Sequence, residues 1–199
     1  MKKVLLIILG IALTYGVDAQ LRYGVKLGGT LSSLYMKAEG ESDSSDPKIG
    51  IKAGGILEYS FSPYFALQPE LLYINNGGKF EDDLLFNLHS LQLPVNVKYK
   101  MGTEKLKFYV TAGPYLGYIF AARLKNGPVS IDAFDEEVNT GTGLELKHLD
   151  FGVGAGFGIK IAGKYIVGTG YQYGLANITG AEGVTVKTGT FNLSIGYLF

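Results

Sequence analysis

Apolar and polar side chains alternate with a period of two along most of this chain. The pattern is clearest between Thr190 and Phe199. One face of that segment carries Phe191, Leu193, Ile195, Tyr197 and Phe199, and the other carries Thr190, Asn192, Ser194, Gly196 and Leu198. Because successive side chains of a β-strand point to opposite faces, the pattern predicts a strand with one fully apolar and aromatic face.

The same alternation recurs upstream and predicts eight strands in all. They cover residues 21–34, 49–61, 64–75, 88–100, 106–122, 149–161, 164–175 and 188–199. These strands are longer than the ~5–6 residues usual in globular proteins, and they reach the ~9–11 residues that a tilted transmembrane strand requires. Strand length therefore favours a membrane barrel over a soluble sandwich.

The connections between these strands alternate between short and long. The short ones are Ser62–Pro63, Met101–Lys105 and Ala162–Gly163, and the long ones are 35–48, 76–87, 123–148 and 176–187. Outer-membrane barrels have short periplasmic turns and longer extracellular loops. The sequence therefore predicts an all-β, eight-stranded antiparallel up-and-down transmembrane β-barrel with both termini in the periplasm. A ten-stranded form with a wider lumen stays open, because Val129 to Phe134 could extend a hairpin.

The two faces of the predicted strands differ in bulk as well as in polarity. The sixth strand carries Gly152, Gly154, Gly156 and Gly158 on one face and bulky apolar residues on the other. A small barrel has a narrow interior that must be filled without overcrowding, so the glycine-rich polar face is expected to point inward. The bulky face, with Tyr and Phe near the strand ends, is expected to meet lipid, and Phe199 then faces lipid at the periplasmic rim.

The N-terminus has the pattern of a signal peptide. Lys2 and Lys3 precede the short apolar run Val4–Leu13, and Val17 and Ala19 are the small residues of a cleavage site. The predicted division is a signal peptide over 1–19 and a barrel domain over 20–199. The chain has no Cys and a formal net charge of zero, so disulfides and thiolate chemistry are excluded, nothing indicates nucleic acid, and no cofactor is predicted.

Several charged and amide side chains fall on the inward face by parity. They are Arg22, Lys26, Lys52, Glu58, Glu70, Lys98, Gln68, Gln92, Asn96 and Gln172. A buried charge is costly unless it is paired, so we expect Glu58 and Glu70 to pair with Lys26, Lys52 or Lys98 in a packed polar plug. The alternative interpretation is a narrow ion or proton path.

The order and spacing of several segments resemble the PorT-like outer-membrane β-barrel family of Bacteroidota. These segments are Tyr23–Gly28 with Leu31–Ser32, Leu67–Tyr73, Leu91–Val95 with Lys98–Tyr99, Ala112–Gly117, Asp150–Gly156, and Gly174–Leu175 with Asn177–Ile178. The resemblance covers the whole predicted mature chain and implies a barrel. The terminal aromatics Tyr197 and Phe199 are similar to the signal that the outer-membrane assembly machinery reads. Family membership implies little about activity, because one fold hosts many functions.

Candidate chemistry is sparse. The chain has two histidines, His89 and His148, and a hydrolase or acyltransferase would need one of them beside a nucleophile. His89 and Ser90 are adjacent and so face opposite ways, and the strands that carry the two histidines are two apart, roughly 10 Å. Glycine-rich spacings near Gly152 lie within a strand pattern and not at a strand-to-helix turn, which excludes a nucleotide-binding loop.

The long loops are acidic. They hold 13 acidic and seven basic residues, a formal charge of −6. Divalent-cation binding is one hypothesis, although the spacing matches no calcium-loop template; solvated loops that keep the surface soluble are the other.

The sequence therefore predicts an integral protein of the outer membrane of a Gram-negative bacterium. The predicted role is non-enzymatic: structural, adhesive, or accessory to a secretion or surface assembly. A narrow pore or solute conduit is the alternative, and a membrane-embedded hydrolase or acyltransferase is third. The expected partners are outer-membrane lipid, the assembly machinery and a protein at the extracellular loops.

Overall fold

The computed structural model describes residues 20–38, 41–80, 84–126, 129–134, 146–181 and 183–199. The predicted signal peptide, 1–19, lies outside the described residues. The described part forms ten strands. They are β1 (Gln20–Ala38), β2 (Glu41–Ser44), β3 (Asp46–Ser60), β4 (Phe65–Lys79), β5 (Leu85–Gly102), β6 (Leu106–Asn126), β7 (Val129–Asp132), β8 (Leu149–Ile161), β9 (Tyr165–Gly174) and β10 (Val184–Leu198).

Eight of these strands close into a ring. Antiparallel pairing follows the order β1-β3-β4-β5-β6-β8-β9-β10, and β10 pairs with β1 from Gly24↔Leu198 to Ala38↔Val184. Closure leaves every strand of the ring paired on both sides, which a spanning sheet requires because lipid offers no hydrogen-bond partners. The predicted eight-stranded antiparallel barrel is confirmed.

The remaining two strands lengthen the wall without widening it. β2 pairs with the end of β1, and β7 pairs with the end of β6. β2 lies on the same side of β1 as β3, which follows it after Ser45. The hairpin predicted near Val129 therefore exists, but the ring contains eight strands and not ten.

The strands extend beyond their predicted bounds at the end that carries the long loops. β1 ends at Ala38 and not at 34, β4 ends at Lys79 and not at 75, and β6 ends at Asn126 and not at 122. β10 begins at Val184 and not at 188. Alternation weakens there because strands that have left the membrane need no apolar face, whereas backbone pairing continues whatever the side chains are.

The opposite end has three short turns, which identify it as periplasmic. Ala162 and Gly163 both have positive φ, 51° and 71°, the type I′ geometry whose twist matches that of the flanking strands. At the first turn, the Ser62 hydroxyl accepts a hydrogen bond of 2.8 Å from the Phe65 amide. The described part of the chain contains no helix of the length and apolarity that would cross a membrane.

The outer face is apolar and is edged by aromatic rings at both ends. At the periplasmic end, Phe199 contacts the rings of Tyr23 and Tyr197, each at 5.3 Å between centroids. At the extracellular end, Tyr35 lies 6.1 Å from Tyr173. Rings at both interfaces are typical of membrane barrels, and the inward polar face predicted from the glycine pattern is the one observed.

Candidate functional site

Glu58 on β3 is the centre of the polar interior. Its carboxylate is almost fully buried and accepts hydrogen bonds from Lys98, at 2.8 Å, and from Lys160. Lys100 lies 3.9 Å from the same carboxylate and donates to the Ser60 hydroxyl at 2.7 Å. One buried acid thus holds lysines from β5 and β8 across the lumen.

A second acid, Glu70 on β4, extends this network. It pairs with Lys26 of β1 at 2.5 Å and accepts a hydrogen bond from Gln68. Gln68 in turn accepts from Lys98 at 2.7 Å. A continuous chain of charge-assisted bonds therefore joins β1, β3, β4, β5 and β8, and such bonds are about twice as strong as neutral ones.

The interior side chains predicted by parity lie inside the barrel. Lys52 donates to Asn192 at 2.5 Å and is not paired with either glutamate. Gln92 is buried, and Asn96 and Gln172 line a small central cavity of about 70 Å³ with Lys26 and Lys52. Arg22 lies at the periplasmic end, where it donates to the Gly163 carbonyl at 2.7 Å.

Lys100 and Lys160 are not among the predicted interior residues, although both are on the inward parity of their strands. Both are buried and both contact Glu58. Parity alone could have found them, since Lys98 and Lys100 are two residues apart. What parity could not supply is the partner of each lysine, because this depends on which strands lie opposite each other in the closed ring.

Inward tyrosines of β6 were also missed. Tyr109 and Tyr115 lie directly opposite Gly158 and Gly152 of β8. A Cβ at Gly152 would lie 2.8 Å from Cε1 of Tyr115, and one at Gly158 would lie 2.6 Å from Cζ of Tyr109. The inward glycines of β8 therefore leave room for the tyrosine rings of β6. The Tyr109 ring also packs under the Lys98 ammonium, which lies 4.1 Å from the ring centroid.

A separate polar cluster lies nearer the extracellular end. The Asp150 carboxylate accepts hydrogen bonds from the Tyr115 hydroxyl at 3.1 Å and the Thr188 hydroxyl at 3.0 Å. All three side chains are buried. This cluster connects β6, β8 and β10 above the lysine–glutamate network.

The lumen is closed above Asp150 by an apolar cluster. It consists of Leu34, Phe86, Leu88, Ile119, Ala122, Ala133 and Ile178, with Phe80, Leu124, Phe134, Leu146 and Val186 packed against it. These side chains come from the extracellular ends of β1, β5, β6 and β10 and from the connecting segments. Water and ions would have to cross a packed apolar layer to leave the barrel at this end.

Each of the two histidines contacts aromatic side chains. His89 faces outward, where its Nδ1 lies 2.7 Å from the Tyr73 hydroxyl, whereas Ser90 is buried and donates to the Ile74 carbonyl. His148 stacks on Phe134 at 4.2 Å, and its Nδ1 lies 2.8 Å from the Ile119 carbonyl. His89 and Ser90 thus lie on opposite faces, as their adjacency predicted.

Many of the acidic loop residues lie outside the described residues: Glu39, Glu81, Asp82, Asp83, Asp135, Glu136, Glu137, Glu145 and Glu182. Among the residues that are described, no three His, Asp or Glu side chains come together as a metal site would require. Asp43 and Asp132 instead accept hydrogen bonds from the nearby amides of Ser44 and Phe134.

Comparison with known proteins supports this architecture. The sequence model of the outer membrane protein beta-barrel domain family matches residues 18–180. The outer membrane protein OprG from Pseudomonas aeruginosa has a similar structure with a TM-score of 0.52, at 13% identity over 91% of this chain and 97% of that chain. No curated protein matches the sequence.

Other similar structures have lower scores. Ail, the attachment invasion locus protein of Yersinia pestis, is 14% identical over 90% of this chain and 99% of that chain, with a TM-score of 0.47. The outer membrane enzyme PagL is 13% identical over 83% of this chain and 97% of that chain, with a TM-score of 0.45. At these identities the likeness concerns the fold.

Proposed function

This chain belongs to the outer membrane protein beta-barrel domain family, and from that premise we propose that it is a sealed, non-enzymatic barrel acting through its extracellular surface. Its location is the outer membrane of a Gram-negative bacterium. The proposed role is that of a surface platform. This platform is either adhesive or an accessory of a secretion or surface assembly. The extended strand ends and long loops would present the surface that a protein partner binds.

The observation that carries this proposal is the apolar cluster around Leu34, Leu88 and Ile178, each at most 2% exposed. A conduit needs a continuous polar path, and this cluster interrupts it. Below it, the cross-section is occupied by the paired side chains of Glu58 and Glu70. The middle of the barrel is therefore built for rigidity, and the extracellular surface remains available for contact with a partner.

The test of the sealed interior is conductance in a planar lipid bilayer. We expect the full mature barrel to give a flat current trace at voltages that leave the membrane intact. A known open barrel reconstituted in parallel serves as the positive control. Reproducible unitary steps from the wild-type barrel would replace this proposal with the narrow-pore alternative.

The test of the platform is site-specific photo-crosslinking in cells. A crosslinking residue at Lys37, exposed near the end of β1, should capture a defined protein, and the same residue at Lys105, in a periplasmic turn, should not capture that protein. Equal capture from both positions, or capture from neither, would count against a partner at the extracellular end.

Two finer assignments accompany this proposal. We propose that the chain is of the PorT-like type, on the strength of the ordered segments from Tyr23–Gly28 to Asn177–Ile178. We also propose that residues 1–19 are removed on export, so that the form in the outer membrane begins at Gln20. The intact mass of protein purified from the outer membrane tests the second assignment.

A further inference from the structure

The barrel is open at its periplasmic end, although a packed polar plug is predicted for its interior. A cavity of about 740 Å³ lies inside the mouth, bounded by residues of the three short turns and by Phe199, and it reaches inward to Glu58. Small residues on the walls, among them Ser60, Ala162 and Gly163, leave this volume unfilled. Pockets of roughly 300–1,000 Å³ are the size that binds small molecules.

The cavity wall has an excess of positive charge. Five basic side chains line it, Arg22, Lys100, Lys107, Lys160 and Lys164, against the two acids Glu58 and Glu104. The formal excess among these side chains is three positive charges. Glu58 is already shared by Lys98 and Lys160, so it neutralises little of the remaining charge.

Two of these lysines have no acidic partner among the residues that the structure describes, namely Lys107 and Lys164. Lys107 lies directly opposite Lys160 on the neighbouring strand, and like charges in that position repel each other. An anion that binds in the mouth would reduce the repulsion between these ammonium groups.

The number of positive charges selects the kind of anion. A carboxylate brings one negative charge and two oxygens, whereas a phosphate monoester brings about −1.5 to −2 and three acceptor oxygens. Lysine and arginine both bind phosphate through charge-assisted hydrogen bonds. The Ser60 and Ser62 hydroxyls, which also line the cavity, add neutral donors.

We propose that the periplasmic mouth is a binding site for a phosphate group. Lys107 and Lys164 supply the uncompensated charge, and Arg22 and Lys100 complete the wall. The phosphate belongs either to a soluble periplasmic compound or to the headgroup of an inner-leaflet lipid. This site is independent of the extracellular surface, so it stands or fails separately from the proposed platform role.

Binding is tested with inorganic phosphate and the full mature barrel, refolded in a phosphate-free non-ionic detergent. Amide chemical shifts are followed at constant ionic strength. We expect saturable shifts at Gly163 and Lys107, and at least a tenfold loss of affinity in the double variant Lys107→Gln/Lys164→Gln. Neither lysine is in an ion pair of the described chain, so this variant should keep the fold.

The matched control is Lys37→Gln/Lys125→Gln, which removes two positive charges from exposed positions at the opposite end. Its phosphate affinity should equal that of the wild type. The proposal is overturned if the two double variants lose affinity equally, if acetate binds as tightly as phosphate, or if no saturable shift occurs.

The source of the phosphate is resolved in lipid nanodiscs. Phosphatidic acid added to phosphatidylcholine discs should shift the same amides if a lipid headgroup reaches the mouth. If these discs leave the amides unchanged while soluble glycerol phosphate shifts them, the ligand is a soluble phosphate compound. Either result supports the phosphate site, and a response to neither probe overturns it.

Discussion

Large and small inward residues complement each other across β6 and β8. Tyr109 and Tyr115 fill the space that Gly158 and Gly152 leave open. Interiors are packed closely enough that one added methyl group is felt. The inward glycines of β8 are therefore part of the core packing of this barrel, and their small size has a direct energetic consequence.

We expect Gly158→Ala to destabilise the barrel by about 1–3 kcal/mol, because the new Cβ would overlap the Tyr109 ring and the Val167 carbonyl oxygen, which would lie 2.2 Å away. The control is Gly29→Ala, since a Cβ at Gly29 meets nothing within 4 Å. Urea unfolding in lipid vesicles measures both. In a Tyr109→Ala background, Gly158→Ala should lower the free energy of unfolding by less than in the wild type, because only the overlap with the Val167 carbonyl oxygen remains. Equal costs of Gly158→Ala and Gly29→Ala in the wild-type background would contradict the packing argument.

The buried carboxylate of Glu58 gives a second prediction at this scale. Glu58→Gln keeps the shape but leaves Lys98 and Lys160 without a counter-charge inside the barrel. Breaking a buried pair in this way costs roughly 3–5 kcal/mol, seen as a lower urea midpoint. Glu104→Gln removes the same charge from an exposed turn and should have little effect; a similar loss in both variants would show that net charge, and not the network, sets stability.

Parity in the sequence identified the direction of most inward residues but not their partners. Lys26 and Glu70 lie 44 positions apart and meet at 2.5 Å, a distance that depends on ring closure and strand stagger. Lys52 was one of three lysines that could have paired with the glutamates, and it donates to Asn192, 140 positions away. Side-chain direction is a local property of a strand, whereas pairing across a lumen is a property of the whole ring.

At the scale of the element, strand existence could be predicted and strand ends could not. β8 has the predicted bounds, 149–161, because the Ile161–Lys164 turn ends it sharply. β5 runs from Leu85 to Gly102, beyond the predicted 88–100. Turn residues mark an end chemically, whereas a strand that continues into water changes composition without changing its hydrogen bonds.

The last strand combines closure with the proposed assembly signal. The Phe199 amide donates to the Tyr23 carbonyl at 2.8 Å, so Phe199 continues the backbone pairing of β10 with β1. We expect Phe199→Ala to lower the amount of barrel assembled in the outer membrane of cells several-fold. Refolding of the purified chain into vesicles should change little, because the exposed ring contributes contacts with lipid rather than core packing.

The matched control for this prediction is Phe191→Ala, on the same outward face at the middle of β10. It removes an equally large exposed ring but leaves the terminus intact, so assembly in cells should be close to that of the wild type. If both variants assemble equally poorly, the terminal aromatic has no special role. If Phe199→Ala also fails to refold in vesicles, its role is in folding and not in recognition.

At the scale of the whole molecule, the two ends of the barrel are chemically different. An apolar cluster closes the extracellular end, and an open cavity with an excess of positive charge occupies the periplasmic end. Our two proposals place separate tasks at the two ends, contact with a partner outside and binding of an anion inside. It also makes the orientation in the membrane a property on which both proposals depend.

Orientation can be measured directly because the chain contains no Cys. Lys37→Cys on β1 and Lys105→Cys in a short turn are both at exposed positions, so each variant carries one reactive thiol at one end. A membrane-impermeant maleimide applied to intact cells should label Lys37→Cys and should label Lys105→Cys only after the outer membrane is permeabilised. Short turns are periplasmic in barrels of this kind. The reverse labelling pattern would move the basic cavity to the cell surface, and both functional assignments would then exchange ends.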